Sequence, residues 1–174
     1  IIQLSRVQSA EVAGAAAEVD LATVVAEAVD RNRVLANKKK IQLKISTADG
    51  IRVFGDLELL TTAAKNLLEN AISYSDTESP VTISLRKKNG VAEIAIKDKG
   101  AGIAPEDLDR IFERFYRVDP ARSRETGGTG LGLSIVKHVA SNHGGEIKVW
   151  SSQNIGSSFA LRLPIFTPNG GSSQ

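Results

Sequence analysis

Two asparagines one helical turn apart are the first residues whose type and spacing suggest chemistry. Asn66 and Asn70 lie in the segment NLLENAISYS, whose apolar residues recur every three or four positions, so both side chains fall on one stripe of a helix. Asparagine is a mediocre helix former, but its carbonyl oxygen suits Mg²⁺ alongside phosphates and waters. The pair could hold a metal–triphosphate, or it could hydrogen-bond a neighbouring loop. Glu69 points about 100° away from Asn70, which makes it a poor general base.

A second candidate is the segment DKGAGI, which directly follows a predicted strand. A buried carboxylate at a strand end, here Asp98, can accept a hydrogen bond from an exocyclic amine, which adenine presents and guanine does not at that position. Gly100 and Gly102 would let the backbone come close to a flat base. The same pattern also fits an ordinary Asp-x-Gly turn.

A third candidate is the glycine-rich segment GGTGLGLS at 127–134, which opens a helix. Backbone N–H groups at a helix N-terminus favour anions, although such a segment can also be a simple hinge. Its spacing matches neither the Rossmann nor the P-loop fingerprint, so positive charge for a phosphate must come from elsewhere. Three arginines in the stretch just before it have few acidic neighbours and could supply that charge: Arg117, Arg122 and Arg124.

The elements that must position these residues follow from periodicity and turn signals. The order of helices and strands predicts a two-layer α/β sandwich with a mixed, mostly antiparallel sheet. The predicted elements are a helix over 19–39 with Asp20 as N-cap, a hairpin of 41–46 and 51–56, the asparagine helix, a hairpin of 81–87 and 91–98, a helix from Pro105, a loop over 119–130, a helix over 131–145, and strands at 146–152 and 157–164.

Composition excludes several classes of function. The chain of 174 residues is 41% hydrophobic and 24% charged, which is ordinary for a soluble domain. It has no cysteine, so disulfides, thiol catalysis and cysteine-bound metals are excluded. The net charge of +2 argues against a nucleic-acid partner, and the basic residues at 31–44 read as a solvated face. No apolar run approaches the roughly 18–20 residues that cross a bilayer, and no signal peptide is visible.

In this order, the motifs resemble those of the ATP-binding catalytic domain of bacterial sensor histidine kinases. NLLENAISYS is similar to the family's asparagine box, DKGAGI to its first glycine box, IFERFYRVD to its phenylalanine box, GGTGLGLS to its second glycine box and GSSF to its last one. The resemblance runs from about Asp20 to Pro164 and implies a Bergerat fold, with the sheet packed on about three helices. Within the family, the chain is most similar to the actinobacterial phosphate-responsive type.

The resemblance implies roles for individual residues. Asn70 would coordinate Mg²⁺, Asn66 would contact the phosphates or their metal, and Asp98 would bind the adenine amine, with Ser157 assisting through water. Arg117 would meet the terminal phosphate and, with Asn70, carry the catalytic role. The other residues expected to contact the nucleotide are Tyr74, Gly100, Gly102, Ile103, Arg124, Gly128, Thr129, Gly130, Leu131, Gly132 and Leu133.

One departure from the family pattern shifts this expectation. Many family members carry lysine where this chain has Ser73. We therefore expect no lysine–phosphate contact from the asparagine helix, and we assign that charge to Arg117 or Arg124.

The resemblance also implies a domain plan. Residues 1–18 are expected to be the end of a dimerisation and phosphoacceptor hairpin with its linker, 19–166 the catalytic domain, and 167–174 a disordered tail. Neither His138 nor His143 matches the place of the phosphoacceptor, so that histidine is expected outside this chain, and each of the two is expected to be structural. The fragment should bind ATP with Mg²⁺ but turn it over negligibly alone.

The expected function is transfer of the γ-phosphoryl to a histidine of the missing hairpin. The alternatives are a serine kinase or other ATPase of the same fold, and a nucleotide-responsive binding module without catalysis. The expected partners are that hairpin and a response-regulator receiver domain, with no nucleic acid and no membrane contact. The domain is expected to be cytoplasmic and monomeric by itself, within a membrane-anchored homodimeric parent.

Overall fold

The computed structural model describes residues 16–113 and 132–166. Helices and strands alternate along the chain in an α/β arrangement. The elements are β1 Ala17–Asp20, α1 Leu21–Arg31, α2 Arg33–Lys38, β2 Gln42–Thr47, β3 Arg52–Gly55, α3 Leu57–Ser73, β4 Pro80–Lys88, β5 Val91–Asp98, α4 Pro105–Leu108, α5 Gly132–Asn142, β6 Glu146–Ser152 and β7 Gly156–Pro164.

The main sheet has the strand order β2-β4-β5-β7-β6. The β2–β4 pair is parallel and the other three pairs are antiparallel. One face of the sheet carries fully buried residues such as Ile83, Ile94, Ile96 and Leu161, which join the apolar sides of α1, α3 and α5 in one core. The predicted two-layer sandwich with a mixed, mostly antiparallel sheet is confirmed.

The second predicted hairpin is confirmed, and its turn explains why. Strands β4 and β5 pair over their full length, and the turn between them holds Asn89 at φ 51° and Gly90 at φ 82°. Two successive positive φ angles match the type I′ turn, whose twist suits a hairpin and which favours Asn-Gly.

The first predicted hairpin, of 41–46 with 51–56, is wrong. Strand β2 pairs in parallel with β4, whereas β3 pairs antiparallel with β1 in a separate two-stranded sheet. This arrangement leaves Val53 and Ile51 only 2% and 6% exposed. Burial of these side chains against the helices outweighs the local turn signal at Gly50, because a turn decides strand pairing only where both strands can share one buried face.

The first long helix is also divided, although its start is as predicted. Asp20 caps α1, since its Oδ1 accepts a hydrogen bond of 3.0 Å from the backbone N–H of Ala22. Asn32 separates α1 from α2 and is buried, and its Nδ2 donates to the carbonyl oxygens of Ala28 and Lys65. The buried Asn32 therefore connects the junction of α1 and α2 to α3. Strand β1 begins at Ala17, inside the stretch expected to be a helix end.

Candidate functional site

Helix α3 carries both predicted asparagines, and Asn66 lies at its boundary with α5. The helix is capped by Asp56, whose Oδ1 accepts a hydrogen bond from the backbone N–H of Leu59 at 3.0 Å. Asn66 and Asn70 are both half-buried. Asn66 donates from Nδ2 to the carbonyl oxygen of Gly132, the first residue of α5, at 3.3 Å.

The two asparagines differ in their hydrogen bonds. This difference bears on the two alternatives that their spacing left open, a metal–triphosphate site or a hydrogen bond to a neighbouring loop. Asn66 hydrogen-bonds a neighbouring segment through its nitrogen, and its side-chain oxygen accepts no hydrogen bond from the residues that the structure describes. The Asn70 amide forms no hydrogen bond within the described residues. Its oxygen is thus available as a ligand one turn further along α3.

Asp98 lies at the end of β5, where its carboxylate is partly withdrawn from water. Across the antiparallel pair it stands opposite Ser157 of β7, and its Oδ1 accepts a hydrogen bond of 2.9 Å from the Gly100 N–H. Burial raises the pKa of Asp98 above its ordinary value of 3.8, and the backbone N–H groups of Gly100 and Ser157 offset part of that rise. A half-buried acceptor of this kind can select an amine donor.

The predicted glycines sit where no side chain fits. A Cβ on Gly100 would overlap the carbonyl oxygen of Tyr74. Gly102 has φ +77°, and a Cβ there would overlap the carbonyl oxygen of Ser152. The loop after β5 is thereby packed between the C-terminal end of α3 and the end of β6, which brings Tyr74 and Asp98 to one corner of the molecule.

Ser151 is part of this corner and was missed by the sequence analysis. Its Oγ accepts a hydrogen bond of 2.7 Å from the Ile103 N–H and lies 3.1 Å from the Gly156 carbonyl oxygen and 2.9 Å from Ser157 Oγ. A hydroxyl has one proton, so when Ser151 donates to Gly156 the Ser157 hydroxyl must donate to Ser151. The signal for Ser151 is its register opposite Ser157, which only the β6–β7 pairing reveals.

Lys39 is a second residue that sequence reasoning misjudged, since it was counted with a solvated basic face. It is half-buried, and its Nζ donates to the carbonyl oxygens of Ile72, Ser73 and Ser75 at 3.0, 3.0 and 2.6 Å. A lysine ammonium at the C-terminus of a helix satisfies carbonyls that lack partners and complements the helix dipole. Lys39 thus fixes the chain on both sides of Tyr74.

The far end of α5 is tied to the start of α3 by His143. Its Nε2 accepts a hydrogen bond of 3.1 Å from the Asp56 N–H, and its Nδ1 lies 2.8 Å from the Val139 carbonyl oxygen. These partners require a proton on Nδ1 and a lone pair on Nε2. The expectation that His143 is structural agrees with these contacts, whereas His138 is exposed.

The structure describes some of the remaining predicted site residues and not others. Gly132 and Leu133 form the first turn of α5, and Ile103 packs against the core from the loop after β5. The predicted residues that lie outside the described ranges are Arg117, Arg124, Gly128, Thr129, Gly130 and Leu131.

The donor set near α3 fits Mg²⁺ bound mainly by phosphates. No group of three or more His, Cys, Asp or Glu side chains within 16–113 and 132–166 could hold a metal. Mg²⁺ in nucleotide sites takes one or two protein oxygens and completes its shell with phosphates and waters, so one amide oxygen at Asn70 is compatible with it.

A separate observation concerns the membrane. None of the helices in the described residues is both long and apolar enough to cross a bilayer.

The fold is that of an ATPase domain. Residues 55–167 match the family described as histidine kinase-, DNA gyrase B-, and HSP90-like ATPase. The chain belongs to this family.

Its similar relatives are sensor histidine kinases. The chain is 52% identical over 164 residues to the sensor-like histidine kinase SenX3 of Mycobacterium tuberculosis, covering 94% of this chain and 40% of that protein. It is 41% identical over 134 residues to the sensor histidine kinase RppB of Synechocystis, covering 76% of this chain and 30% of that one. The chain thus spans less than half the length of these curated relatives. The mycobacterial relatives are consistent with the predicted actinobacterial type.

The mycobacterial sensor histidine kinase MprB shares the fold. Its solved structure superposes with a TM-score of 0.74 at 32% identity, over 86% of this chain and 97% of that one. Full-length ShkA, solved in complex with AMPPNP, superposes with the same TM-score of 0.74 at 25% identity, over 88% of this chain and 32% of that one.

Proposed function

We propose that this chain is the ATP-binding catalytic domain of a two-component sensor histidine kinase. It binds ATP with Mg²⁺ and transfers the γ-phosphoryl to a histidine on a dimerisation and phosphoacceptor hairpin. The observation that carries the proposal is that two kinds of group lie at different positions along α3. The corner of Asp98 and Tyr74 lies at its C-terminal end. Asn70 lies one turn earlier, and Asn66, which bonds to α5, lies two turns earlier.

The length of α3 fits a nucleotide laid along it. Asn66 and Tyr74 are eight positions apart, which is about 12 Å along a helix. The base would rest against the loop of Gly100 and Gly102, with its exocyclic amine donating to Asp98. Ser157 would assist Asp98 through a water, and the phosphates would extend toward Asn70, Asn66 and Gly132.

Phosphoryl transfer requires positioning and neutralisation of charge more than covalent chemistry by the protein. Asn70 would ligate Mg²⁺, which when bound neutralises phosphate charge. The backbone N–H groups of the glycine segment at 127–132 would hold the phosphates, and Arg117 would meet the terminal phosphate with Arg124 nearby. Ser73 supplies no positive charge, which leaves that task to the arginines.

The test uses the chain with a purified dimerisation and phosphoacceptor hairpin of a sensor kinase, Mg²⁺ and γ-labelled ATP. We expect transfer of label to the hairpin as an acid-labile, base-stable phosphohistidine. Asn70→Ala should reduce transfer by about 100-fold or more, because metal and phosphate charge are then left unpositioned. Asn37→Ala, an exposed asparagine on α2, is the matched control and should leave transfer unchanged. Arg117→Ala should retain most ATP binding and abolish transfer.

The alternatives give different outcomes in the same assay. Acid-stable label on serine would indicate a serine kinase of the same fold. ATP binding without label on any supplied protein would indicate a binding module. Absence of adenine-selective binding in calorimetry, with and without Mg²⁺, would remove the nucleotide proposal altogether.

The proposed partners follow from the proposed reaction. The chain would phosphorylate the hairpin of its parent protein within a homodimer. The phosphoryl group would then pass to a response-regulator receiver domain. We place the domain in the cytoplasm, where ATP is available, within a membrane-anchored parent. The stretch before β1, and not all of residues 1–18, would link the domain to that hairpin, because Ala17 and Glu18 already pair with β3. The catalytic domain would extend from β1 to residue 166.

A further inference from the structure

The face of the main sheet that is turned away from the helices carries ordered rows of side chains. Registered pairing places residues of all five strands side by side in such a row. One row runs, strand by strand from β2 to β6, through Lys44, Thr82, Lys97, Ser158 and Trp150.

A second row, two positions along each strand, contains small residues. It includes Ser46, Ser84, Ala95 and Ala160, and it ends at Lys148 on β6. Because these side chains are short, they do not cover the neighbouring first row.

In the third row, arginines and glutamates form ion pairs with one another. Arg86, Glu93, Arg162 and Glu146 stand opposite one another across β4, β5, β7 and β6. The Glu93 carboxylate is 3.0 Å from both Arg86 Nε and Arg162 Nε, and Arg162 also lies 3.7 Å from Glu146. Lys148 is 3.7 Å from Glu146 as well. The arginines of this row and Lys148 beside it therefore have carboxylate partners.

The first row has no such partners. Lys44 and Lys97, with Lys99 just beyond β5, form no ion pair with any residue of the described ranges. All three line one open groove of about 540 Å³, together with Trp150 and Ile155. The one acidic residue in the lining is Asp98, whose Oδ1 is already bonded to the Gly100 N–H.

The apolar side chains of the groove are unusually open for their size. Trp150 is 50% exposed and Ile155 71% exposed. An exposed tryptophan near lysines without an ion pair in 16–113 and 132–166 is the composition of a binding surface rather than of a solvated face.

We propose that this lysine–tryptophan groove binds an extended acidic segment of a partner protein, with carboxylates on Lys44, Lys97 and Lys99 and an apolar side chain against Trp150 and Ile155. The groove crosses five strands, which is four inter-strand gaps or about 19 Å. An extended chain covers at most about 3.5 Å per residue, so roughly six residues span the row. This length suits a peptide segment better than a single small anion. The groove borders the Asp98 corner, because Asp98, Ser151 and Ser157 also line it, and binding is therefore tested without nucleotide. The proposal does not depend on the proposed kinase activity.

The test uses the emission of Trp150, the chain's one tryptophan. A glutamate-rich hexapeptide with a central leucine and blocked ends is titrated into the nucleotide-free protein. We expect a saturable change in emission, weakened several-fold at high salt because exposed charges are screened. A glutamine peptide of the same length should give no saturable change.

Matched variants localise the binding. Lys97→Gln should weaken it about threefold or more, and Lys44→Gln, Lys97→Gln and Lys99→Gln together about tenfold or more. Lys148→Gln removes a positive charge from the same face of the sheet, but one already paired with Glu146, so it should change binding less than twofold. Each variant is checked for an unchanged thermal unfolding midpoint.

Three results would overturn the proposal. The first is an unchanged Trp150 emission in the acidic peptide titration. The second is an equal loss of binding in Lys148→Gln and Lys97→Gln. The third is a lysine-dependent response to phosphatidylserine vesicles without any response to the peptide, since it would assign the groove to a lipid surface instead.

Discussion

Asp98 is the residue on which adenine selectivity depends, and its surroundings act on its pKa in opposite directions. Burial raises the pKa, and the N–H groups of Gly100 and Ser157 partly offset the rise. A folded-state pKa above the unfolded value favours the protonated form on folding. The stabilising effect is complete below the unfolded pKa and is lost as the pH rises through the folded pKa. At neutral pH the ionised carboxylate is therefore kept at a cost in stability.

This balance predicts opposite effects of Asp98→Asn on binding and on stability. The amide would turn a donor toward the adenine amine, so ATP affinity measured by calorimetry should fall about 10- to 100-fold, as expected for loss of a hydrogen bond to a charged acceptor. The free energy of unfolding at pH 7, measured with urea, should stay the same or rise. Asp109→Asn, at an exposed site, is the control. Unchanged ATP affinity in Asp98→Asn would remove this residue from the adenine site.

At the scale of elements, α5 is attached to α3 at two points. Asn66 bonds to the first residue of α5, and His143, just after its last residue, accepts from the Asp56 N–H at the N-cap of α3. Both ends of α5 are therefore fixed against α3, the helix that carries the metal and phosphate candidates. Lys39 closes the other end of α3 near Tyr74.

His138 on α5 and His143 just after it permit a matched comparison. His143→Ala should lower the free energy of unfolding by about 1–3 kcal/mol, because the Asp56 N–H loses its acceptor and becomes unsatisfied. His138→Ala, on the exposed side of α5, should stay within about 0.5 kcal/mol of the parent. Chemical denaturation of both variants measures the difference. Equal effects would show that the Asp56 bond contributes little to stability.

At the scale of the whole molecule, Glu93 links charge on the open face of the sheet to stability. It is 2% exposed. Burial by itself would raise its pKa, but the ion pairs with Arg162 and Arg86 outweigh burial and hold the pKa below its ordinary 4.5. A lowered folded-state pKa gives stability that is present above the unfolded pKa and is lost as the pH falls through the folded pKa.

Glu93→Gln should therefore destabilise the protein at neutral pH and much less in acid. We expect a loss of about 1–3 kcal/mol at pH 7, because two arginines lose their shared carboxylate. The difference from the parent should shrink as the pH falls below the ordinary glutamate pKa of 4.5. Glu106→Gln, at an exposed position, should follow the parent at every pH. Urea unfolding over a pH series tests this, and a pH-independent difference would contradict the assigned ion pairs.

The sequence by itself determined the local features of the site. The four-residue spacing of Asn66 and Asn70, the strand-end position of Asp98 and the Asn-Gly turn of the second hairpin depend on neighbours a few residues away. Helical and turn geometry convert such short separations into structure with little help from the rest of the chain. The order of elements then sufficed for the α/β sandwich.

Only the tertiary structure decided which distant segments meet. The partners of β2 and β3, the cap that Lys39 provides and the place of Ser151 beside Ser157 all depend on strand pairing and register. Pairing is chosen by which side chains become buried across the whole core, a long-range energy that a local turn such as that at Gly50 cannot outweigh. For the same reason the unpaired lysines appear as one row only once five strands are in register, although each is visible in the sequence.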